Sequence, residues 1–171
     1  RNDDGGYTQI SVPQLEACNI QVSDILKTND TQTYPLNTVG GKSYAIKKNY
    51  HKSSIANFVN GGCHYPQTGA AVFLGDSVVS STSSLHSSIH QIYRVDDGMI
   101  EINGSRLPVE LRDGYYIVRK LTVNECKLLQ NIPDWYEFPV SDTRAYAMLG
   151  NGWTVGVISH LLKSIQFELI V

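Results

Sequence analysis

Short runs of alternating apolar and polar residues occupy the middle of the chain and give way to helical spacing in its last fifty residues. The clearest runs are HQIYRV, MIEI, LPVEL and YYIV, which are separated by Asp96-Asp97-Gly98, Asn103-Gly104 and Arg112-Asp113-Gly114. Asp-Gly and Asn-Gly pairs favour tight hairpin turns because those turns need a positive φ. The pattern therefore predicts a meander of strands.

A capping box opens the helical tail. Thr122 is followed three residues later by Glu125, the arrangement in which each side chain binds the backbone N–H of the other residue. Cys126, Leu129 and Ile132 then recur at helical spacing, which predicts a helix that a Pro-Asp pair closes.

Two further helices are predicted after residue 140. Ser141 is a suitable N-cap for the first, which Gly150 would end, and Thr154 is a suitable N-cap for the second. One face of the last helix carries Val155, Ile158, Leu161, Leu162 and Ile165. The sequence thus predicts an α+β chain in which a β-rich lobe precedes a compact helical tail.

The changes of pattern divide the chain into three parts. Residues 1–30 are expected to form a polar connector with a short helix capped by Ser23, residues 31–118 the β-rich lobe, and residues 119–171 the helical tail. Within the lobe, the serine-rich stretch GDSVVSSTSSLHSS is typical of an exposed loop.

Length and composition are those of an ordinary folded protein. The chain has 171 residues, of which 42% are hydrophobic and 18% charged. No apolar run has the length of a membrane span, and three widely spaced cysteines fit a reducing cytosol better than a disulfide framework. Since the first residue is Arg1 rather than Met, we expect the sequence to be a piece of a longer one.

Charge is distributed unevenly along the chain. Between Thr31 and Val95 five basic residues accompany a single acidic one, Asp76, which gives this window +4 in a chain of net charge −2. The lysines of the window are Lys42, Lys47, Lys48 and Lys52. A basic segment on an acidic chain suggests a contact with nucleic acid, and a solvated loop that happens to carry lysines is the alternative.

The sequence GNGW at residues 150–153 contains more than a turn between two helices requires. Gly152 allows a close approach to the backbone, beside unpaired amides expected at a helix N-terminus. Asn151 offers a donor and an acceptor, and Trp153 offers a flat apolar face. These features suit a polar ligand with a flat ring. The alternative is that Trp153 fills the core and the glycines form a turn.

Two stretches of the tail resemble the C-terminal end of the DNA cytosine-5 methyltransferases. They are RKLTVNECKLLQNIPDWYEF at residues 119–138 and SDTRAYAMLGNGWTVGVISHLL at residues 141–162. The residues that match the family motifs are Arg119, Leu121, Thr122, Glu125, Cys126, Pro133, Asp134, Tyr136, Tyr146, Gly150 and Asn151. The resemblance implies that the tail completes an α/β S-adenosylmethionine-dependent methyltransferase fold. It also implies that Arg119 and Glu125 hold the lobe against the tail.

The resemblance also implies two binding sites. Asn151, Gly152 and Trp153 would form one wall of the S-adenosylmethionine site. The stretch GGKSYAIKKNYHKSS, residues 40–54, is similar to the part of the target-recognition lobe that enters the DNA major groove. The DNA-binding residues implied there are Lys42, Ser43, Tyr44, Lys47, Lys48, Asn49, Tyr50, His51, Lys52 and Ser53. The lysines suit phosphates, and the polar side chains suit base edges or the DNA backbone.

The reaction of this family needs motifs that the sequence lacks. A cysteine thiolate in a Pro-Cys motif attacks C6 of a flipped cytosine, and C5 then accepts the methyl group. None of the three cysteines follows a proline, and the Glu-Asn-Val, Phe-x-Gly-x-Gly and Gln-x-Arg-x-Arg motifs are absent. No catalytic residue is therefore assigned to this chain. The resemblance implies the target-recognition and cofactor-site-completing part of an enzyme, either one chain of a split enzyme or a fragment of a single-chain one.

The expected partners are duplex DNA and a catalytic half that carries the Pro-Cys motif. The setting expected is a cytoplasmic, bacterial or phage-encoded restriction–modification enzyme with no membrane contact. A non-catalytic DNA-binding or regulatory relative is one alternative, and an unrelated β-rich binding module is another.

Cys63-His64 with His86 and His90 does not predict a metal site, because adjacent Cys and His cannot easily both bind one ion.

Overall fold

The structure, a computed structural model, describes residues 11–14, 21–26, 32–59, 66–77, 91–163 and 165. Within these residues six strands form one antiparallel sheet, accompanied by four α-helices, an α+β mixture as predicted. The strands are β1 (Thr33–Leu36), β2 (Gly69–Gly75), β3 (Ile92–Asp96), β4 (Met99–Ile102), β5 (Ser105–Pro108) and β6 (Gly114–Lys120). The helices are α1 (Val22–Leu26), α2 (Val123–Leu129), α3 (Asp142–Asn151) and α4 (Val155–Lys163), with 3-10 turns at Tyr50–Lys52 and Ile55–Phe58.

Strand β6 lies in the middle of the sheet. The strand order is β1-β2-β6-β3-β4-β5, so the meander prediction is correct for β3, β4 and β5 but wrong for β6, which pairs with β2 and β3. On β6, Tyr116 and Val118 are buried, and Tyr115 and Ile117 on the opposite face are half-buried. Because both faces of β6 are apolar and both edges need hydrogen-bond partners, a central position suits this strand better than an edge.

The two hairpin turns have the backbone predicted for them. The φ angles are 52° at Asp97, 64° at Gly98, 52° at Asn103 and 77° at Gly104. Strand β5 follows the second turn directly, so it begins before the predicted LPVEL run and ends within it. The third turn signal, at residues 112–114, does not form a hairpin, because the chain passes there from the sheet edge back to its centre.

One hydrophobic cluster contains side chains of both the predicted lobe and the predicted tail. Its sheet members include Ala70, Ala71, Tyr93, Val95, Ile100, Ile102, Tyr116 and Val118. Its helix members include Val22, Leu26, Cys126, Tyr146 and Leu149. The helices therefore pack on the same core as the inner face of the sheet, and that packing fixes where the basic segment meets the tail.

The first helix begins one residue earlier than its predicted cap. The carboxylate of Asp24 accepts the N–H of Gln21 at 3.0 Å, so Gln21 precedes the helix and Ser23 lies within its first turn. The predicted Ser23 cap is wrong, since an acidic residue at the third helical position stabilises the start instead. Most of the serine-rich stretch, residues 78–88, lies outside the described residues.

The capping box of α2 is confirmed. Glu125 N–H donates to Thr122 Oγ1 at 3.2 Å, and Thr122 N–H donates to Glu125 Oε2 at 2.7 Å. The helix stops at Leu129, because Asn131 adopts a positive φ of 56° and turns the chain away. Ile132, predicted as its last apolar position, therefore lies beyond the helix but still packs on the core.

Candidate cofactor and nucleic-acid site

The basic segment, residues 42–53, crosses the C-terminal part of α3. Its exposed side chains include Lys42, Lys48, Asn49 and Lys52. Two turns shape it: Tyr50 N–H donates to the Lys47 carbonyl, and Lys52 N–H donates to the Asn49 carbonyl, both at 2.9 Å. The segment thus presents cationic and amide groups to solvent from a short, hydrogen-bonded stretch of backbone.

Tyr50, predicted to contact DNA, is a core residue instead. It is 2% exposed, its hydroxyl donates to the Thr68 carbonyl at 2.6 Å, and the same oxygen accepts the Leu121 N–H at 2.8 Å. Its ring lies against Phe58 and Tyr146, with centroids 5.9 and 5.6 Å away. Burial raises the pKa of Tyr50 well above its ordinary value. The prediction of DNA contact is wrong for Tyr50, because a buried and doubly bonded phenol cannot reach a ligand.

Other members of the predicted DNA-binding set have contacts within the chain. Ser43 Oγ donates to the Tyr44 carbonyl at 2.7 Å, and Ser53 Oγ donates to Gln67 Oε1 at 2.5 Å. His51 is half-buried, and its Nδ1 is buried without a hydrogen-bond partner in the described part of the chain. The two hydroxyls therefore help to shape the basic segment.

Gly150 lies inside α3, so the prediction that it ends the helix is wrong. A Cβ built on Gly150 would lie closer than 3.0 Å to the carbonyl group of Lys47 and to the nitrogen of Lys48. The glycine is thus needed for a close backbone approach and not for a turn. Helix α3 and the basic segment meet backbone to backbone one residue before Asn151.

The joint between α3 and α4 is extended at Gly152, with φ −77° and ψ 165°. Side chains alternate along such a backbone. Asn151 and Trp153 accordingly line an open groove of about 560 Å³, here called the outer groove, together with Val155, Ile158, Ser159 and Leu162 of α4. Gly152 and Thr154 line a separate cavity of about 320 Å³ between the joint, the end of α2 and residues 42–46. The structure therefore brings Asn151 and Trp153 together and places Gly152 on the other side.

Trp153 is not a core residue, because its side chain is 74% exposed. Two amides of the joint are already bonded: Gly152 N–H donates to the Met148 carbonyl at 2.8 Å, and Val155 N–H donates to the Gln130 carbonyl at 3.0 Å. The prediction of unpaired, outward-pointing amides is wrong for these two. Any polar recognition in the outer groove then depends more on side chains than on these N–H groups.

An ion pair joins Arg119, near the end of β6, to Glu125 in the first turn of α2. Arg119 Nη1 and Nη2 donate to Glu125 Oε2 and Oε1, both at 2.8 Å. Burial alone would raise the pKa of Glu125, but its hydrogen bonds to Arg119 and Thr122 outweigh burial and lower it. The ion pair holds the end of β6 against α2, and the expected role of Arg119 and Glu125 in holding the lobe against the tail stays a prediction.

Sequence reasoning assigned no contact to two residues near the joint, Gln130 and Tyr146, although Tyr146 matches a family motif. Tyr146 donates its hydroxyl to the Leu121 carbonyl at 2.7 Å, and Gln130 donates its side-chain amide to the Leu149 carbonyl at 2.6 Å. A buried glutamine after a helix leaves no periodic signal in a sequence. By contrast, the close contact at Gly150 could have been inferred, because a glycine inside a helical pattern often marks a packing requirement.

Cys126 does not have the properties of a catalytic nucleophile. It is fully buried, and burial raises its pKa to about 12.

In the described residues no three His, Cys, Asp or Glu side chains group as metal ligands would. The predictions concerning Cys18, Cys63, His64, His86 and His90 fall outside the described residues. None of the described helices is long and apolar enough to cross a membrane.

Comparisons with known proteins identify the family of the chain. The family model described as C-5 cytosine-specific DNA methylase matches residues 7–167. The chain is also similar to the type II methyltransferase M.MspI of Moraxella sp, with 24% identity over 148 residues that make up 86% of this chain and 28% of the relative. The chain therefore spans little more than a quarter of that relative's length. No solved structure matches. Because the family model covers nearly the whole sequence, the chain belongs to the C-5 cytosine-specific DNA methylase family.

Proposed function

We propose that this chain is the target-recognition and cofactor-site-completing part of a DNA cytosine-5 methyltransferase. Such an enzyme transfers a methyl group from S-adenosylmethionine to C5 of a cytosine flipped out of duplex DNA. The observation that carries the proposal is the joint after α3. Trp153, two residues after the end of α3, is 74% exposed beside Asn151, whereas Leu149 in the last turn of α3 is buried in the core. A helix end anchored in the core and followed by an indole that faces an open groove is suited to form one wall of a shared site.

The side chains of the outer groove fit one face of S-adenosylmethionine. The indole of Trp153 offers a flat surface on which an adenine ring can pack. The amide of Asn151 offers a donor and an acceptor to a polar group of the cofactor. The bound cofactor supplies the methyl group. Gly152 contributes through its extended backbone, which sets Asn151 and Trp153 on the same side of the chain.

The basic segment is proposed as the DNA contact. Lys48 and Lys52 are exposed and flank Asn49, which is also exposed. Between Thr31 and Val95 the sequence has one acidic residue, so the phosphate backbone meets little local repulsion. Lysines then position the duplex through phosphates, and Asn49 has the donor and acceptor pair that reads base edges.

The apolar face of α4 is proposed as the contact with the rest of the enzyme. Val155, Leu161 and Leu162 are 44%, 40% and 51% exposed, and α4 has no buried residue. A contiguous apolar helix face in water marks an interface. The sequence lacks a Pro-Cys motif, so the proposed occupant is the polypeptide that carries this motif, in a second chain or in the same one.

Trp153→Ala in the complete enzyme tests the cofactor wall. We expect a KM for S-adenosylmethionine raised about tenfold, since a stacked aromatic contact of this kind contributes on the order of 1–2 kcal/mol, with the KM for duplex DNA unchanged. Trp135→Ala is the matched control, because this second indole is 79% exposed but does not line the groove. If Trp153→Ala leaves cofactor affinity unchanged while DNA binding persists, the proposal fails and a non-catalytic, DNA-binding relative is favoured.

A further inference from the structure

Gln130 connects the two helices on either side of the joint. It follows α2 directly, is 9% exposed, and donates its Nε2 to the Leu149 carbonyl at 2.6 Å. Its own carbonyl accepts the N–H of Val155, the first residue of α4, at 3.0 Å. The residue that follows α2 thus bonds both the end of α3 and the start of α4.

These two hydrogen bonds fill positions that helices leave open. The last four carbonyls of a helix and its first four N–H groups have no partner within the helix. Leu149 lies in the last turn of α3. The nearby Gly152 N–H does not serve the Leu149 carbonyl, because it donates to the Met148 carbonyl. The Gln130 side chain therefore caps α3, and the Gln130 backbone caps α4.

We infer that Gln130 is a positioning residue for the cofactor wall, an inference that rests on the proposed function. The residues between its two attachment points are 150–154, which include Asn151 and Trp153. Residues 150 and 151 end α3 and Gly152 is extended, so the direction of the chain after the helix depends on how the two ends of this stretch are held. A Cβ on Gly152 would lie 3.6 Å from Gln130 Oε1, which places the glutamine amide directly beneath the joint. Because Gln130 holds both ends of this stretch, the distance between Asn151 and Trp153 in the outer groove stays constant.

The experiment uses the two tryptophans of the chain. Trp135→Phe leaves Trp153 as the sole indole, so fluorescence anisotropy then reports motion at the joint. In that background Gln130→Met removes the amide donor, and Gln130→Glu places a carboxylate against the Leu149 carbonyl. Gln67→Met is the matched control, because Gln67 is also buried and hydrogen-bonded but belongs to the lobe. Circular dichroism selects the variants that remain folded.

We expect both Gln130 variants to lower the anisotropy of Trp153 and to raise the KM of the complete enzyme for S-adenosylmethionine about tenfold, with kcat much less affected. The Gln67 control should leave both quantities unchanged. Unchanged anisotropy in folded Gln130→Met protein, or lower anisotropy with an unchanged KM, overturns the inference. If the parent enzyme shows no cofactor binding at all, the proposed function fails, whereas the anisotropy result still reports whether Gln130 holds the joint.

Discussion

Gly150→Ala tests the packing of α3 against the basic segment. Inside an ordinary helix this change stabilises the protein by about 0.5–1 kcal/mol, because alanine loses less backbone entropy on folding. At Gly150 the added methyl group would lie closer than 3.0 Å to main-chain atoms of Lys47 and Lys48. Main chain cannot rotate away as a side chain does, so the helix or the segment must shift. Overpacking of this kind costs roughly 1–3 kcal/mol.

The opposing effects leave a net loss of about 1–2 kcal/mol in the free energy of unfolding, measured by urea denaturation followed by circular dichroism. Gly156→Ala in α4 is the matched control. Among the described residues, the new Cβ would there meet the Asn131 side chain alone, at 3.1 Å, and this side chain can move. We expect the control to be neutral or slightly stabilising. A Gly150→Ala protein as stable as the parent would refute the claim that a backbone contact requires this glycine.

Three further predictions concern the groups around the site. Tyr50→Phe should lower the free energy of unfolding by about 1–3 kcal/mol, because the Leu121 N–H loses its buried acceptor; surface Tyr136→Phe should have little effect in the same urea titration. Glu125→Gln should weaken the acid dependence of stability. The pKa of Glu125 is lowered on folding from 4.5, so its contribution is present above that pH and is lost as the pH falls through the folded value. Acid titrations with the same slope for parent and variant would contradict this. Lys48→Gln with Lys52→Gln should weaken duplex binding and reduce the salt dependence of the binding constant by about two charges, whereas salt slopes equal to the parent's would exclude phosphate contacts by these lysines.

Local features of the fold were predictable because neighbouring residues determine them. Asn103-Gly104 and Asp97-Gly98 form turns with positive φ, and Thr122 with Glu125 forms the capping box, as their sequences predict. The central position of β6 was not predictable from the turn pattern. It depends on pairing with β2, a strand about forty residues earlier in the chain, and a turn signal carries no information about such a partner.

The sequence pointed to candidate site residues but not to where they lie in the fold. The similarity of residues 40–54 to a target-recognition lobe implied DNA contact for Tyr50, yet its aromatic ring is buried between Phe58 and Tyr146. The GNGW sequence marked the joint, but the structure was needed to separate Asn151 and Trp153 from Gly152. Gln130 acts through contacts with residues up to 25 positions away, which sequence spacing alone does not reveal.

The most direct test is methyl transfer from labelled S-adenosylmethionine to duplex DNA. The assay compares the family polypeptide that carries the Pro-Cys motif, this chain, and the two together. We predict no transfer by either alone and transfer by the mixture, with the rate reduced by Trp153→Ala and not by Trp135→Ala. Equal transfer by the Pro-Cys polypeptide with and without this chain would contradict the account.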